Sequence, residues 1–239
     1  MRLLDVQELD SRLDQLAHQK RTLPAIAELV ELEVQATTLR DRIVGAETEE
    51  SDVARQQSKA DSDVEQVRTR AARDRDRLDS GVLTSPKDLE NLQHELESLA
   101  RRQAELEDVE LEVMERLEDV QNRLGALRTE LTDIEKRIAE VTMSLNDSLA
   151  DIAKDTEVVT RQRADLAQSV PEDLAKLYEK LRADNGGVGA ARLYRGRCEG
   201  CRLELNATEL GKARVADPDE VLRCEECRRI LVRTDESGL

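Results

Sequence analysis

The fold is decided by residues 89–166, which read LENLQHELESLARRQAELEDVELEVMERLEDVQNRLGALRTELTDIEKRIAEVTMSLNDSLADIAKDTEVVTRQRADL. Steps that alternate between three and four residues lead from Leu89 to Leu166, and 18 of the 23 positions reached are apolar. This 3.5-residue repeat is typical of a coiled-coil seam, because a single amphipathic helix on a globular core follows a 3.6-residue repeat. The stretch therefore predicts one long helix that packs lengthwise against another.

The other helix lies upstream, where the same rule runs from Leu29 to Leu78 and 12 of 15 positions are apolar. Several of these residues are alanines, which bury little area, so this arm is expected to be thinner. Between the arms, Gly81 suits the end of one helix and Pro86 suits the first position of the next. The sequence therefore predicts an antiparallel hairpin with its tip near residues 80–85.

The composition also favours long helices over a compact core. The chain has 239 residues, of which 38% are charged, and it contains no Trp, no Phe and only two Tyr. The aromatic side chains that fill most globular cores are therefore almost absent.

A helix break and the distribution of charge divide the chain further. The apolar positions of residues 6–23 and those of residues 29–78 are out of register with each other, and Pro24 lies between them, which predicts a helix break. All of the net charge of −16 falls within residues 1–185, and an acidic rod repels nucleic-acid phosphates.

The end of the rod is marked by a second helix start and a change of composition. Pro171 and the acidic residues after it predict a short base helix over residues 171–183. Two glycines follow, and the excess of acidic residues stops there. We therefore expect a coiled-coil hairpin domain over residues 1–185 and a second domain over residues 186–239.

The lengths of the apolar runs and the first residues of the chain indicate where in the cell the protein resides. No run is long enough to span a membrane, and the chain starts without the basic and apolar regions of a signal peptide. We expect no membrane association and a cytoplasmic location. Because the cytoplasm keeps thiols reduced, the four cysteines call for an explanation other than disulfides.

All four cysteines fall in the last 42 residues and form two C-x2-C pairs, separated by 22 residues. Each pair can turn two sulfurs toward one ion, and we call each such turn a knuckle. Four thiolates suit a tetrahedral zinc ion at about 2.3 Å. Spacing alone leaves a four-thiolate iron site open, whereas a redox dithiol needs only one pair. We favour one structural Zn²⁺ with the ligands Cys198, Cys201, Cys224 and Cys227.

Three stretches of this sequence resemble one family. The tail GVGAARLYRGRCEGCRLELNATEL…VLRCEECRRILVR, the tip segment SPKDLENLQHEL and the segment SVPEDLAKLYEKLR are similar to those of the C4-type zinc-ribbon, coiled-coil proteins of bacteria. The resemblance implies an elongated helical hairpin that carries a terminal zinc ribbon. It also implies kinship with the family's better-understood members, which are flagellar-biogenesis chaperones that contact an alternative sigma factor and a flagellin message.

Arginines flank both knuckles: Arg192, Arg195, Arg197, Arg202, Arg228, Arg229 and Arg233. One interpretation is a surface for RNA or DNA. The other is a solvated face whose charge is balanced by neighbouring glutamates. We favour the second, because Tyr194 is the only aromatic residue available to stack on a base.

These features favour a non-enzymatic zinc-binding adaptor or chaperone that uses its coiled coil and zinc ribbon for protein–protein interaction. A protein partner is expected, and the chain is expected to be a monomer or a dimer. The alternative is an RNA- or DNA-binding regulator that acts through the Arg-flanked ribbon, and a zinc or redox sensor is a third, weaker interpretation. The sequence shows no phosphate-binding glycine loop and no nucleophile–base pair, so an enzyme is not expected.

Overall fold

The computed structural model describes residues 2–81 and 85–239. Residues 82–84, in the predicted tip, lie outside the described residues. Within the described parts, no helix combines the length and the apolar character needed to cross a membrane. The elements, in chain order, are α1 (Arg2–Arg21), α2 (Pro24–Asp79), α3 (Pro86–Ala167), α4 (Glu172–Asp184), β1 (Ala190–Tyr194), β2 (Arg197–Cys198), α5 (Ala207–Val215), β3 (Leu222–Arg223) and β4 (Ile230–Val232).

The predicted fold class is confirmed: the chain is mainly helical, with a long helical hairpin and a small C-terminal sheet. Helices α2 and α3 run antiparallel. Arg40 of α2 pairs with Glu135 at 2.7 Å, whereas Arg68, farther along α2, pairs with Glu107 at 2.6 Å. Residues later in α2 therefore meet residues earlier in α3, as the two arms of a hairpin require.

The heptad pattern predicts the buried face of α2. Its eight buried residues all stand at predicted seam positions: Ala36, Leu39, Ile43, Ala46, Val53, Ala60, Val64 and Asp74. In α3 the same rule holds as far as Ile152, after which Asp155 and Gln162 are exposed while Thr156 and Arg163 are half-buried. The phase changes because the end of α3 packs against α1 and α4, and Arg163 turns inward to bind Asp10.

The chain divides into two compact units, one formed by Glu28–Val141 and the other by Met1–Ala27 together with Thr142–Leu239. The first unit holds nearly all of α2 and the part of α3 that ends at Val141. The second unit holds α1, the end of α3, α4 and the ribbon. The predicted domain boundary between residues 185 and 186 falls between α4 and β1, inside the second unit, and it remains a prediction.

The second unit has an apolar core built by α1, α4 and the sheet, which buries Leu3, Val6, Tyr178, Leu181, Ala190 and Ile230. Beside it lies Asp10, whose side chain is almost fully buried. Asp10 accepts hydrogen bonds from the Tyr178 hydroxyl at 2.7 Å and from Arg163 Nε at 3.1 Å. These partners offset the free energy of burying a carboxylate. Burial, and then Asp10, raise the pKa of Tyr178, so the phenol stays protonated as a donor.

The ribbon is a four-stranded sheet in the order β2-β1-β4-β3. Strand β1 is antiparallel to β2 and parallel to β4, and β3 is antiparallel to β4. Helix α5 begins at a capping box, in which Asn206 and Glu209 each bind the other's backbone N–H at 2.9 Å. The short strands β2 and β3 lead into the two knuckles, so the sheet positions the first cysteine of each C-x2-C pair.

Candidate metal centre

The two knuckles share one hydrogen-bond pattern. In each, the N–H of the first cysteine donates to the carbonyl five residues later, and its own carbonyl accepts from the N–H four residues later, at 2.7–3.0 Å. The residue after the second cysteine is Arg202 in one knuckle and Arg228 in the other. Both have a left-handed backbone, with φ of 62° and 63°. This turn folds the chain back on itself and brings both sulfurs of each pair to the same side.

The four sulfurs have the spacing that a tetrahedral zinc ion needs. They all lie within 4.8 Å of one another. The Sγ atoms of Cys198 and Cys227 are 3.8 Å apart, as are those of Cys201 and Cys224. Sulfurs at about 2.3 Å from a central zinc are about 3.8 Å apart in a tetrahedron, whereas a disulfide requires about 2.05 Å. The predicted cofactor is therefore confirmed: the four cysteines form a site for one Zn²⁺.

The four ligands differ in burial and in acidity. Cys198 and Cys224 are buried, and Cys201 and Cys227 are half-buried. Burial raises the pKa of Cys198 to about 12 and also raises the pKa of Cys224. Burial acts in the same direction on Cys227. Hydrogen bonds from the backbone and side chain of Arg229, and then from Cys224 and Cys201, outweigh it and lower the pKa of Cys227 to about 7. Zinc binds thiolates, so metal binding must release protons from this site.

The core around the site is small, and two of the ligands belong to it. Ala191, Leu193, Leu205 and Leu231 pack with Cys198, Cys224 and Ala213. A core of this size buries too little apolar area to hold a fold, so we expect a bound zinc ion to supply much of the folding free energy of the ribbon. With four protein ligands the site has no open position for water. A zinc ion bound by all four sulfurs would cross-link the two knuckles.

Two of the seven arginines flanking the knuckles serve the fold. Arg229 is half-buried, and its guanidinium donates to three backbone carbonyls. Arg233 donates to the carbonyls of Ala213, at 3.1 Å, and Ala216, at 2.6 Å, which hold the end of α5. Both side chains therefore bind this chain's own backbone.

The other five arginines are exposed. Arg192 pairs with Glu236 at 3.0 Å and Arg197 pairs with Glu204 at 3.4 Å. The Arg195 guanidinium lies 5.2 Å from the centre of the Tyr194 ring, which is a cation–π distance. Arg202 and Arg228 project from the two knuckles. Nucleic-acid or partner binding by this set stays a prediction.

Sequence analysis missed Gln7, which joins α1 to the start of the ribbon. Its side chain is buried, and Nε2 donates to the Gly187 carbonyl at 2.9 Å. Its Oε1 accepts from the N–H groups of Gly189, at 2.7 Å, and Ala190, at 3.2 Å. One glutamine in a charged helix carries no signal of its own. The available signal was the glycine-rich linker after α4, because its backbone N–H and C=O groups need hydrogen-bond partners when they are buried.

A long antiparallel helical hairpin and a closed four-cysteine site define a zinc-binding coiled-coil protein. The CT398-like coiled coil hairpin domain matches residues 6–186, and the C4-type zinc ribbon domain matches residues 197–231. The chain therefore belongs to the CT398-like hairpin family with a C4-type zinc ribbon, which confirms the predicted family. The kinship with flagellar chaperones stays a prediction.

Several proteins match this chain over nearly their whole length. An uncharacterized protein of Mycobacterium tuberculosis is 39% identical over 233 residues, which cover 98% of this chain and 94% of that protein. A solved structure from Mycobacterium smegmatis has 33% identity and a TM-score of 0.81, and the match covers 98% of this chain and 96% of that one. The structure of CT398 from Chlamydia trachomatis has a TM-score of 0.67 over the same shares. Its identity is 18%, so that likeness concerns the fold alone.

Proposed function

We propose that this chain is a non-enzymatic adaptor or chaperone whose hairpin and zinc ribbon bind partner proteins. The closed zinc site supports this proposal, because four thiolate ligands make a rigid module and leave no open position for substrate. The observation that carries it furthest is a stripe of exposed valines on the hairpin.

The valine stripe consists of Val30, Val34 and Val44 on α2, which are 57%, 62% and 61% exposed. The exposed residues Thr37 and Asp41 lie on the same face, between Val34 and Val44. At about 100° per residue, the three side chains fall within about 80° of the helix circumference. The seam residues Leu39 and Ile43 lie on the opposite face, so the stripe points away from α3. A β-branched residue at an exposed helix position lowers helix stability. Three of them on one face are better explained by contact with a partner.

The charges beside the stripe indicate the chemistry of that partner. Glu31 and Glu33 are exposed and lie on either side of the stripe around the helix. A helix with one apolar face and Lys or Arg along its borders is complementary to this surface. We therefore assign the stripe to a basic amphipathic helix of a partner protein.

The test uses the full-length chain as bait in a lysate of its own cells, with and without nuclease. Val30→Glu together with Val34→Glu should remove protein partners that survive nuclease. Val109→Glu together with Val158→Glu makes the same double change at two exposed valines of α3, which are 47% and 52% exposed, and should keep the partners. Identical partners for both variants would overturn the stripe as the docking surface, and a recovery of RNA alone would overturn the adaptor function.

A second candidate function is an RNA- or DNA-binding regulator, and one observation favours it. Arg195, Arg202 and Arg228 are exposed, while the ion pairs of the ribbon use other residues. Across residues 2–81 and 85–239, no carboxylate lies within 4.0 Å of these three guanidinium groups. They are therefore free to bind phosphate.

Binding of a labelled RNA at increasing salt tests the second candidate. Contacts to phosphate make affinity fall steeply with salt. Changing Arg195, Arg202 and Arg228 to Glu should abolish the binding. The same change in charge on the hairpin, at Arg42, Arg73 and Arg101, should leave most of it. Equal losses in both variants would mean that only net charge matters, which would contradict a ribbon site.

A further inference from the structure

Arg229 follows the second knuckle and contacts three separate segments of the chain. Its Nε donates to the Val188 carbonyl at 2.9 Å, and Nη2 donates to the Asn185 carbonyl at 3.0 Å. Its Nη1 lies 3.4 Å from the Gly200 carbonyl, inside the first knuckle. One guanidinium therefore joins the end of α4, the residues leading into β1, and the first cysteine pair.

The backbone of Arg229 is hydrogen-bonded to the second knuckle, because the Cys224 N–H donates to its carbonyl at 3.0 Å. Gly200 makes room for the side chain. A Cβ at position 200 would lie 2.7 Å from Arg229 Cδ and 3.0 Å from the Ala191 Cβ. Only glycine allows this approach, which accounts for the small residue within the first C-x2-C pair. Arg229 thus connects the two halves of the zinc site directly.

The segment bound by Arg229, residues 185–190, is held from a second side by Gln7 of α1. Gln7 binds the Gly187 carbonyl and the N–H groups of Gly189 and Ala190. Gly189 is itself pressed against α4, since a Cβ there would lie 2.6 Å from the Tyr178 carbonyl oxygen. Despite its glycines, this segment is a joint with most of its polar backbone groups hydrogen-bonded.

We propose that Arg229 is a positioning residue that couples zinc binding to the docking of the ribbon on α1 and α4. Zinc fixes the second knuckle, and the knuckle in turn fixes the backbone of Arg229, from which the side chain projects. The guanidinium then fixes the first knuckle and residues 185–190. Because coupling is reciprocal, loss of the guanidinium weakens zinc binding, and loss of zinc loosens the joint. This inference does not depend on the adaptor function.

The first test measures zinc affinity by competition with a chelator in the full-length protein. Arg229→Ala should weaken zinc binding about 10- to 100-fold, as expected for a residue that orients metal ligands. Arg229→Lys should recover little, since an ammonium group cannot reach three carbonyls from one point. Arg228→Ala removes the neighbouring exposed arginine and should change the affinity less than twofold. An Arg229→Ala affinity within twofold of that control overturns the proposal.

The second test leaves Arg229 in the sequence and displaces its side chain through a change at Gly200. It covers the case in which Arg229→Ala fails to fold. Gly200→Ala should push Arg229 from its place and weaken zinc binding. Gly211→Ala is the matched control, because a Cβ there meets nothing within 4 Å. Amide exchange is read at Gly189 and Ala190 in zinc-saturated protein. Both amides should exchange faster in Gly200→Ala and in Arg229→Ala, but not in Gly211→Ala.

Zinc removal from the wild-type protein completes the test. Chelation should accelerate exchange at Gly189 and Ala190 together with exchange in the two knuckles. If the knuckles lose protection while these two amides keep theirs, the ribbon stays docked without metal and the coupling is overturned.

Discussion

Each knuckle places an arginine in a backbone conformation that its side chain disfavours. Left-handed φ costs an L-residue roughly 1–2 kcal/mol, whereas glycine in a fixed backbone loses about 0.5–1 kcal/mol of chain entropy. Arg202→Gly and Arg228→Gly should therefore each raise the free energy of unfolding by up to about 1 kcal/mol. The measurement is denaturant unfolding of the zinc-loaded protein, followed by zinc release. Arg197→Gly, in the extended strand β2, should destabilise instead, and a similar loss in all three variants would contradict the argument.

A carboxylate between the hairpin arms gives a pH prediction. Gln103, at 2.8 Å, and Arg68, at 2.6 Å, donate to Glu107, and these hydrogen bonds lower its pKa from 4.5. A lowered folded-state pKa means that this group stabilises the hairpin fully above pH 4.5. The contribution is lost as the pH falls through the lowered value.

NMR titration of the Glu107 carboxyl checks this sign. The midpoint should lie below 4.5 in the wild-type protein and should rise in Gln103→Ala and in Arg68→Gln. Arg70→Gln is the control, because Arg70 pairs with Glu95. A wild-type midpoint at or above 4.5, or an equal rise in the control, would contradict the assignment.

The helices α2 and α3 gain their stability from a seam only two helices wide, so each buried side chain matters. Val53 is fully buried in that seam. Val53→Ala removes two buried carbon groups at about 0.8 kcal/mol each, offset by about 0.5 kcal/mol from the better helix propensity of Ala. We expect a loss of about 1 kcal/mol or more in the free energy of unfolding, measured by helical circular dichroism in urea. Val44→Ala makes the same change at an exposed site and should be neutral or slightly stabilising.

The heptad repeat predicted α2 and most of α3 because a seam repeats one contact many times along the chain. The zinc ligands were equally predictable, since each C-x2-C pair is local and four thiolates complete one ion. The base and the joint to the ribbon have no such repeat. Gln7 and Gly189 are 182 residues apart, and Asp10 and Tyr178 are 168 apart. Contacts made once at that separation leave no local pattern, which is also why Arg229 looked like part of a charged surface.

On the scale of the whole molecule, the metal and the helices stabilise different parts of the chain. The unit Glu28–Val141 contains no cysteine and has its own apolar core around Leu39, Ile43 and Leu124. The ribbon depends on four sulfurs and a small core. We therefore expect the tail to need zinc and the hairpin to fold without it, although the tail shares a compact unit with α1 and α4.

Cys224→Ser should abolish stoichiometric zinc and make the ribbon sensitive to protease, because three remaining thiolates cannot close the tetrahedral site. Far-ultraviolet circular dichroism should keep nearly all of its helical signal, since α2 and α3 gain their order from the seam. Glu226→Ser, at an exposed position in the same knuckle, is the control and should retain both zinc and protease resistance. Amide exchange should separate the two units, with residues 28–141 unchanged and the ribbon unprotected. A ribbon that resists protease without zinc would contradict the structural role of the metal. A hairpin that loses its helical signal when the ribbon unfolds would contradict the conclusion that the seam holds α2 and α3 without zinc.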